Sequence, residues 1–241
     1  MNQTSSKVGL LLQTYFAEHL LHHKGVSYQT IASYRDTFRL QLQFVRDRTG
    51  REPSSLRLND LDAPVILSFL DHLEAARHNA TRTRSLRLTA IRTFFRLAAL
   101  SDPENVGLAT RVLAIPVKRT DRRLVGYLTR AEMEAILAAP DTTTWSGRRD
   151  YALLLTLYNS GARVSEIVNV ERRHVSFGVT SYLELHGKGR KERTVPLWPK
   201  TARALKQWFE DLGEVTTTAV VFPSARRERL TRKGLSFVLR N

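Results

Sequence analysis

Apolar residues recur every three or four positions through the first hundred residues and alternate with polar ones further on. Leu11, Leu12, Tyr15, Phe16 and Leu20 form one helical stripe that Gly25 ends. Ser27 is placed to cap a second helix with Ile31, Tyr34, Phe38, Leu42 and Val45 inward, and Gly50 closes it. A third helix is expected from Asp62 to about His78 around Val65, Phe69 and Leu73, and a fourth from Thr81 to Leu100 around Leu88, Ile91, Phe95 and Ala98. Ser101 to Gly126 breaks the rhythm with Asp102-Pro103, Pro116 and a charge run from Lys118 to Arg123, the pattern of a linker following a short helix. Thr129-Arg130-Ala131-Glu132 is a capping box for a helix to about Ala139. Another helix spans Arg148 to about Asn159 before Gly161. Val175, Phe177, Tyr182, Leu183 and Leu185, then Thr194, Val195 and Leu197, follow period two around Gly187-Lys188-Gly189, which predicts a short antiparallel sheet. Helix returns at Thr201 to Leu212 and from Thr231 onward. The fold class is mainly α with a small antiparallel β-sheet. It divides into residues 1–105, a linker at 106–126, and 127–241.

Of the 241 residues, 42% are hydrophobic, enough for packed cores. No cysteine is present, which excludes disulfides and cysteine metal sites. The longest apolar stretches, such as Tyr151 to Tyr158, fall short of the ~20 residues that span a bilayer. The first residues also lack the charged-then-apolar order of a signal peptide. A cytoplasmic protein without a membrane partner is the expectation. The formal net charge of +15 favours a polyanion, nucleic acid first.

The position of the charge sharpens this. His78 to Leu100 holds Arg82, Arg84, Arg87, Arg92 and Arg96 without one acid. That is either a solvated arginine face or a helix laid on a phosphate backbone, with Ser85 and Thr89 between the arginines. Two further islands lie nearer the C-terminus. In Asn159-Ser160-Gly161-Ala162-Arg163-Val164-Ser165-Glu166, a helix stops at glycine and the next starts with an arginine. The helix dipole already puts partial positive charge at that point, so the arrangement makes sense where both face an anion, with Glu166 pinning the guanidinium from behind. In His186-Gly187-Lys188-Gly189-Arg190-Lys191-Glu192-Arg193, glycines flank a lysine at a hairpin tip, which suits close approach to a ligand or a merely solubilising turn.

In this order the motifs resemble the tyrosine recombinases, or phage-integrase family, across nearly the whole chain. Ser27-Tyr28-Gln29-Thr30-Ile31-Ala32-Ser33-Tyr34 is similar to a helix of the family's all-α, SAM-like core-binding domain. Tyr127-Leu128-Thr129 looks like the opening of its α+β catalytic domain. Leu157 to Glu166 is similar to the first-arginine box, and Gly187 to Arg193 with Val195-Pro196-Leu197 to the catalytic-lysine hairpin. The resemblance implies site-specific recombination of double-stranded DNA by tyrosine attack on a phosphate, giving a 3′-phosphotyrosyl link with no metal and no other cofactor. It implies a homotetramer on paired sites for a full-length protein and a monomer off DNA. Carried over, Arg163 holds the scissile phosphate, Lys188 protonates the leaving 5′-oxygen, and Glu166 supports Arg163. Gln29, Ser33, Arg84 and Arg87 are candidates for base contacts. Arg82, Arg92, Lys118, Arg119, Arg190, Lys191, Arg193, Arg232 and Lys233 are further DNA-binding candidates, and Arg226, Arg227 and Arg229 extend a second basic patch.

The chain departs from the family pattern after the hairpin. None of its seven histidines is followed by arginine three residues on, so the His-x-x-Arg box is missing, and its tyrosines end at Tyr182. Thr231 to Asn241 looks like the helix just ahead of that box. The expectation is therefore a recombinase lacking the last portion of its catalytic domain, inactive in cleavage alone. Two other readings stay open: a non-catalytic protein occupying recombination sites on double-stranded DNA, and a basic structural or RNA-associated protein.

Overall fold

The structure is a computed structural model that describes residues 7–120, 126–187, 189, 191–214 and 216–240. It divides into two compact units, Met1–Leu124 and Val125–Asn241.

The first unit is all helical. α1 (Val8–Thr14) runs into a π-helical segment, Tyr15–His23, where the Lys24 N–H reaches back five residues to the His19 carbonyl. α2 (Tyr28–Thr49) starts at Ser27, whose Oγ accepts from the Thr30 N–H, and ends at Gly50 with φ of 70°. α3 (Ala63–Ala75) is capped by Asp62, and α4 (Thr81–Ser101) comes next. α3 stops three residues short of the predicted His78, which itself takes φ of 50° while the Asn79 N–H closes on the Leu73 carbonyl. α5 (Val106–Leu113) lies inside the stretch expected as linker, yet its Leu108, Ala109 and Val112 are buried in the core of this unit. Phe38, Phe69, Leu73, Leu88, Ile91, Phe94 and Phe95 belong to the same core, with Tyr15. The Tyr15 ring meets Phe16, Phe38 and Phe94 edge-on, and its hydroxyl lies 2.7 Å from Thr93 Oγ1.

The second unit is α+β. α6 (Arg130–Ala138) starts at the Thr129–Glu132 capping box, with both reciprocal bonds formed. α7 (Trp145–Ser160) begins three residues ahead of the predicted Arg148, because Thr144 caps it through the Gly147 N–H. After the short α8 (Val164–Ile167) come β1 (Val175–Ser176), β2 (Tyr182–His186) and β3 (Glu192–Pro196), antiparallel in the order β1-β2-β3. Leu183 pairs with Val195 and Leu185 with Arg193. Leu183 and Leu185 are buried while Tyr182, Glu184 and His186 take the other face, the two-residue alternation of a half-covered sheet. α9 (Pro199–Leu212) and α10 (Arg232–Val238) complete the unit, whose core gathers Leu153, Ile167, Leu205, Trp208, Phe222 and Leu235 around the sheet.

Gly147 looks like a helix breaker, yet it is what lets α7 start early. A Cβ there would lie 1.8 Å from the Asp141 carbonyl oxygen, a backbone atom that cannot swing aside. Gly147→Ala should therefore lower stability by at least about 3 kcal/mol. Gly107→Ala, an exposed helical site with nothing within 4 Å, should raise it by roughly 0.5–1 kcal/mol. All three tryptophans, Trp145, Trp198 and Trp208, lie in the second unit. The urea midpoint followed by tryptophan fluorescence should fall sharply for Gly147→Ala, and the midpoint followed by far-ultraviolet dichroism should rise for Gly107→Ala.

Candidate functional site

The site is assembled where α7 ends. Ser160 Oγ donates to the Thr156 carbonyl at 2.6 Å and accepts from the Ala162 N–H, while Gly161 takes φ of 57° and closes on the Leu157 carbonyl. Asn159 reaches across to the strand: its Nδ2 donates to the Pro196 carbonyl and its Oδ1 accepts the Trp198 N–H. The chain thus leaves α7 in one conformation and delivers Arg163, in extended conformation, to the start of α8.

Glu166 organises the groups around that arginine. Its Oε1 accepts from Arg163 Nη1 at 2.7 Å, and its Oε2 accepts both the Arg163 backbone N–H at 2.9 Å and Arg193 Nη2 at 2.8 Å. The carboxylate is 2% exposed, while the Arg163 side chain is 68% exposed. The Arg193 hydrogen bond, then the backbone and guanidinium bonds of Arg163, outweigh burial and hold the Glu166 carboxyl down at about 2. Gly187 closes over it: a Cβ there would sit 3.0 Å from Glu166 Oε1 and 3.2 Å from the Lys191 carbonyl, whose oxygen accepts the Gly187 N–H. The sequence suggests a glycine that frees the turn to reach a ligand; the space it leaves is filled by Glu166.

Arg163, Gly187, Gly189, Lys191, Glu192 and Arg193 line an open cleft of about 570 Å³. Lys188 and Arg190 lie outside the described residues. Two guanidinium groups on one carboxylate leave an excess of one positive charge, while Lys191 and Glu192 on the same lining offset each other, an arrangement suited to an anion presenting several oxygens. His186 Nδ1 lies 3.0 Å from Oε1 of the cleft residue Glu192, and the His174 ring is 4.6 Å from that of His186. Among the described residues no group of three His, Cys, Asp or Glu is arranged to hold a metal ion. No helix among them is long and apolar enough to cross a membrane.

In the first unit the arginines of α4 separate. Arg82 is exposed, as are Gln29, Ser33, Lys118 and Arg119. Arg84, expected on a nucleic-acid face, is 3% exposed; its Nε lies 3.2 Å from Glu74 Oε2, close enough to pair though not aligned as a hydrogen bond, and its Nη2 lies 3.7 Å from Asp71. Arg87 Nη1 donates to Asp36 at 3.0 Å, and Arg92 donates to the Ile115 carbonyl. The acids absent from α4 are supplied by α2 and α3, so the expectation of a uniformly solvent-facing arginine helix is corrected. Lys118 shares Glu74 with Arg84. In the second unit Lys191, Arg232 and Lys233 are exposed.

Two features escape a reading of the sequence. Nothing in the motif links Arg193 to Glu166; only the β2–β3 register, which puts Arg193 opposite Leu185, carries it to the foot of α8. Asn159 as the brace to the exit of β3 has no sequence signal beyond its place in the box.

Glu166 yields a pH prediction. Its folded-state value lies below the ordinary 4.5, so its stabilisation is fully present above pH 4.5 and is lost as pH falls through about 2. Glu166→Gln should cost roughly 1–3 kcal/mol at pH 7, and the gap to the parent protein in urea midpoint should narrow between pH 4.5 and 2. A gap that stays constant over that range would show that the carboxylate does not carry the effect.

Residues 126–241 match the phage integrase family, and residues 14–101 match the phage integrase N-terminal SAM-like domain. The chain is 46% identical over 229 residues to y4rC of Sinorhizobium fredii, described as an integrase/recombinase, covering 95% of this chain and 69% of that protein. It is 30% identical to the tyrosine recombinase XerC of Pelobacter propionicus, covering 93% and 71%. Among solved structures, a lambda integrase tetramer bound to a Holliday junction superposes with a TM-score of 0.69 at 18% identity, covering 98% of this chain and 65% of that one. The chain thus spans slightly less than two thirds of the lambda integrase chain whose fold it shares. With an arginine box and a hairpin joined through Glu166, a SAM-like helical unit ahead of them, and close relatives along nearly its whole length, the chain belongs to the phage integrase family, the tyrosine recombinases.

Proposed function

We propose that this chain recognises double-stranded DNA at a recombination site and supplies part of a tyrosine recombinase active centre. The observation that carries the reading is the Arg163–Glu166–Arg193 cluster beside an open, basic cleft. Arg163 is exposed and held from behind, so its free donors bind the non-bridging oxygens of a scissile phosphate and stabilise the charge that builds there. Lys188 protonates the departing 5′-oxygen, and Glu166 orients Arg163 without touching DNA. Gln29 and Ser33 are exposed on α2, from which they reach base edges. Arg82, Lys118, Arg119, Arg190, Lys191, Arg232 and Lys233 contact the phosphate backbone. Arg84, Arg87 and Arg92 act one step back, by joining the helices that carry these contacts. The solved lambda integrase assembly is a tetramer on a Holliday junction, and a tetramer on paired sites is the assembly proposed for a whole protein built on this chain.

A second reading concerns the 241-residue polypeptide by itself. Its tyrosines end at Tyr182, at the start of β2 in the hairpin, so alone it occupies its site without forming a phosphotyrosyl link. On a nicked suicide duplex it should give retarded complexes and no adduct that survives detergent; a covalent adduct would overturn the non-cleaving reading.

Affinity for duplex should fall steeply with salt, by about 0.9 log units per log unit of salt for each phosphate neutralised. Replacing Arg82, Arg119 and Lys233 together with alanine should lower that slope by roughly 2–3. Arg163→Ala should spare most of the affinity, since one contact among many is lost. A preference for RNA over duplex DNA, or a slope unmoved by the triple substitution, would sink the assignment of the binding surface.

A further inference from the structure

Arg193 is a DNA-contact candidate by sequence, and the bonds it makes give it another task. From β3 it donates to Glu166 Oε2, the oxygen that also accepts the Arg163 backbone N–H, while Arg163 Nη1 holds Oε1. Paired with Glu166 alone, Arg163 would present an incoming anion with a group of no net charge. With Arg193 on the same carboxylate the cluster keeps one positive charge. The bond also fastens the hairpin to the foot of α8, because Arg193 lies opposite Leu185 in register and Gly187, just past β2, rests against the same carboxylate.

We infer that Arg193 is a positioning residue that acts through Glu166: it takes up part of the carboxylate's charge and seats the hairpin over the arginine loop, leaving Arg163 charged and aimed for a phosphate. The inference rests on the reading of Arg163 as the phosphate-binding residue. The rival is direct contact, since the Arg193 side chain is 38% exposed and lines the cleft.

A double-mutant cycle on the whole 241-residue chain separates them, with inorganic phosphate alone as the probe at low ionic strength. Binding is followed through the Arg163 Nε–H resonance, identified by its loss in Arg163→Ala, and overall affinity by calorimetry. Arg193→Ala should weaken phosphate binding by roughly two- to fivefold. In a Glu166→Gln background the same substitution should cost clearly less, whereas direct contact predicts the same loss in both. Carbon-13 titration of the Glu166 carboxyl gives a second readout: its midpoint, about 2 in the parent, should rise in Arg193→Ala. Arg193→Lys keeps the charge and a donor and should restore both readouts, which also covers the case in which the alanine variant is poorly folded. Equal losses in the two backgrounds, an unmoved Glu166 midpoint, or a lysine variant that restores neither readout would overturn the inference. Phosphate affinity unchanged by Arg163→Ala would instead mean that the reading of Arg163 is at fault.

Discussion

A carboxylate removed from water between two guanidinium groups is the constraint on which the second unit's site depends. Glu166 has four hydrogen-bond positions at its oxygens and fills three of them with Arg163 and Arg193. Burying an unpaired carboxylate would cost far more than a small domain can supply, so the loop after α7, the start of α8 and the β2–β3 hairpin hold their places together. The bracing of Asn159 against Pro196 and Trp198, and the local bonds of Ser160, then leave the arginine loop one course to take.

The first unit solves a different electrostatic problem. Five arginines on one helix repel one another, and α4 accommodates them by turning some toward acids on its neighbours. Arg84 is buried at the expense of most of its hydration, a cost that the nearby Asp71 and Glu74 offset. The same contacts bind α2, α3 and α4 to one another, so the basic character of this helix is partly a means of packing. Arg82 stays in solvent for a polyanion to meet.

Much of this is legible along the chain because local rules decide it. Ser27 and Gly50 bound α2, the Thr129–Glu132 box opens α6, and the alternation of Leu183 and Leu185 marks the sheet. The arginine box and the glycine hairpin are visible as motifs. What cannot be read depends on groups far apart in sequence. The helix expected from Arg148 starts earlier, and the need for glycine at 147 shows only once Asp141 is seen where its side chain would be. The short helix at 106–113 is legible, but that it belongs to the first core and not to the linker is not, because the core that takes in Leu108 and Val112 is made by other helices. Arg84 and Arg193 look free because their acids sit on other elements, 10 and 27 residues away in the nearer cases of Glu74 and Glu166.

The missing side chain at Gly187 links two positions in descent. With 3.0 Å between a would-be Cβ and Glu166 Oε1, and 3.2 Å to the Lys191 carbonyl, a lineage that acquired alanine at 187 would have to shift the acid and the hairpin backbone by a few tenths of an ångström, so a buried glutamate favours glycine here. The two sites, twenty-one residues apart, should then drift as a pair, and the acid in a relative would forecast the residue that opens its hairpin.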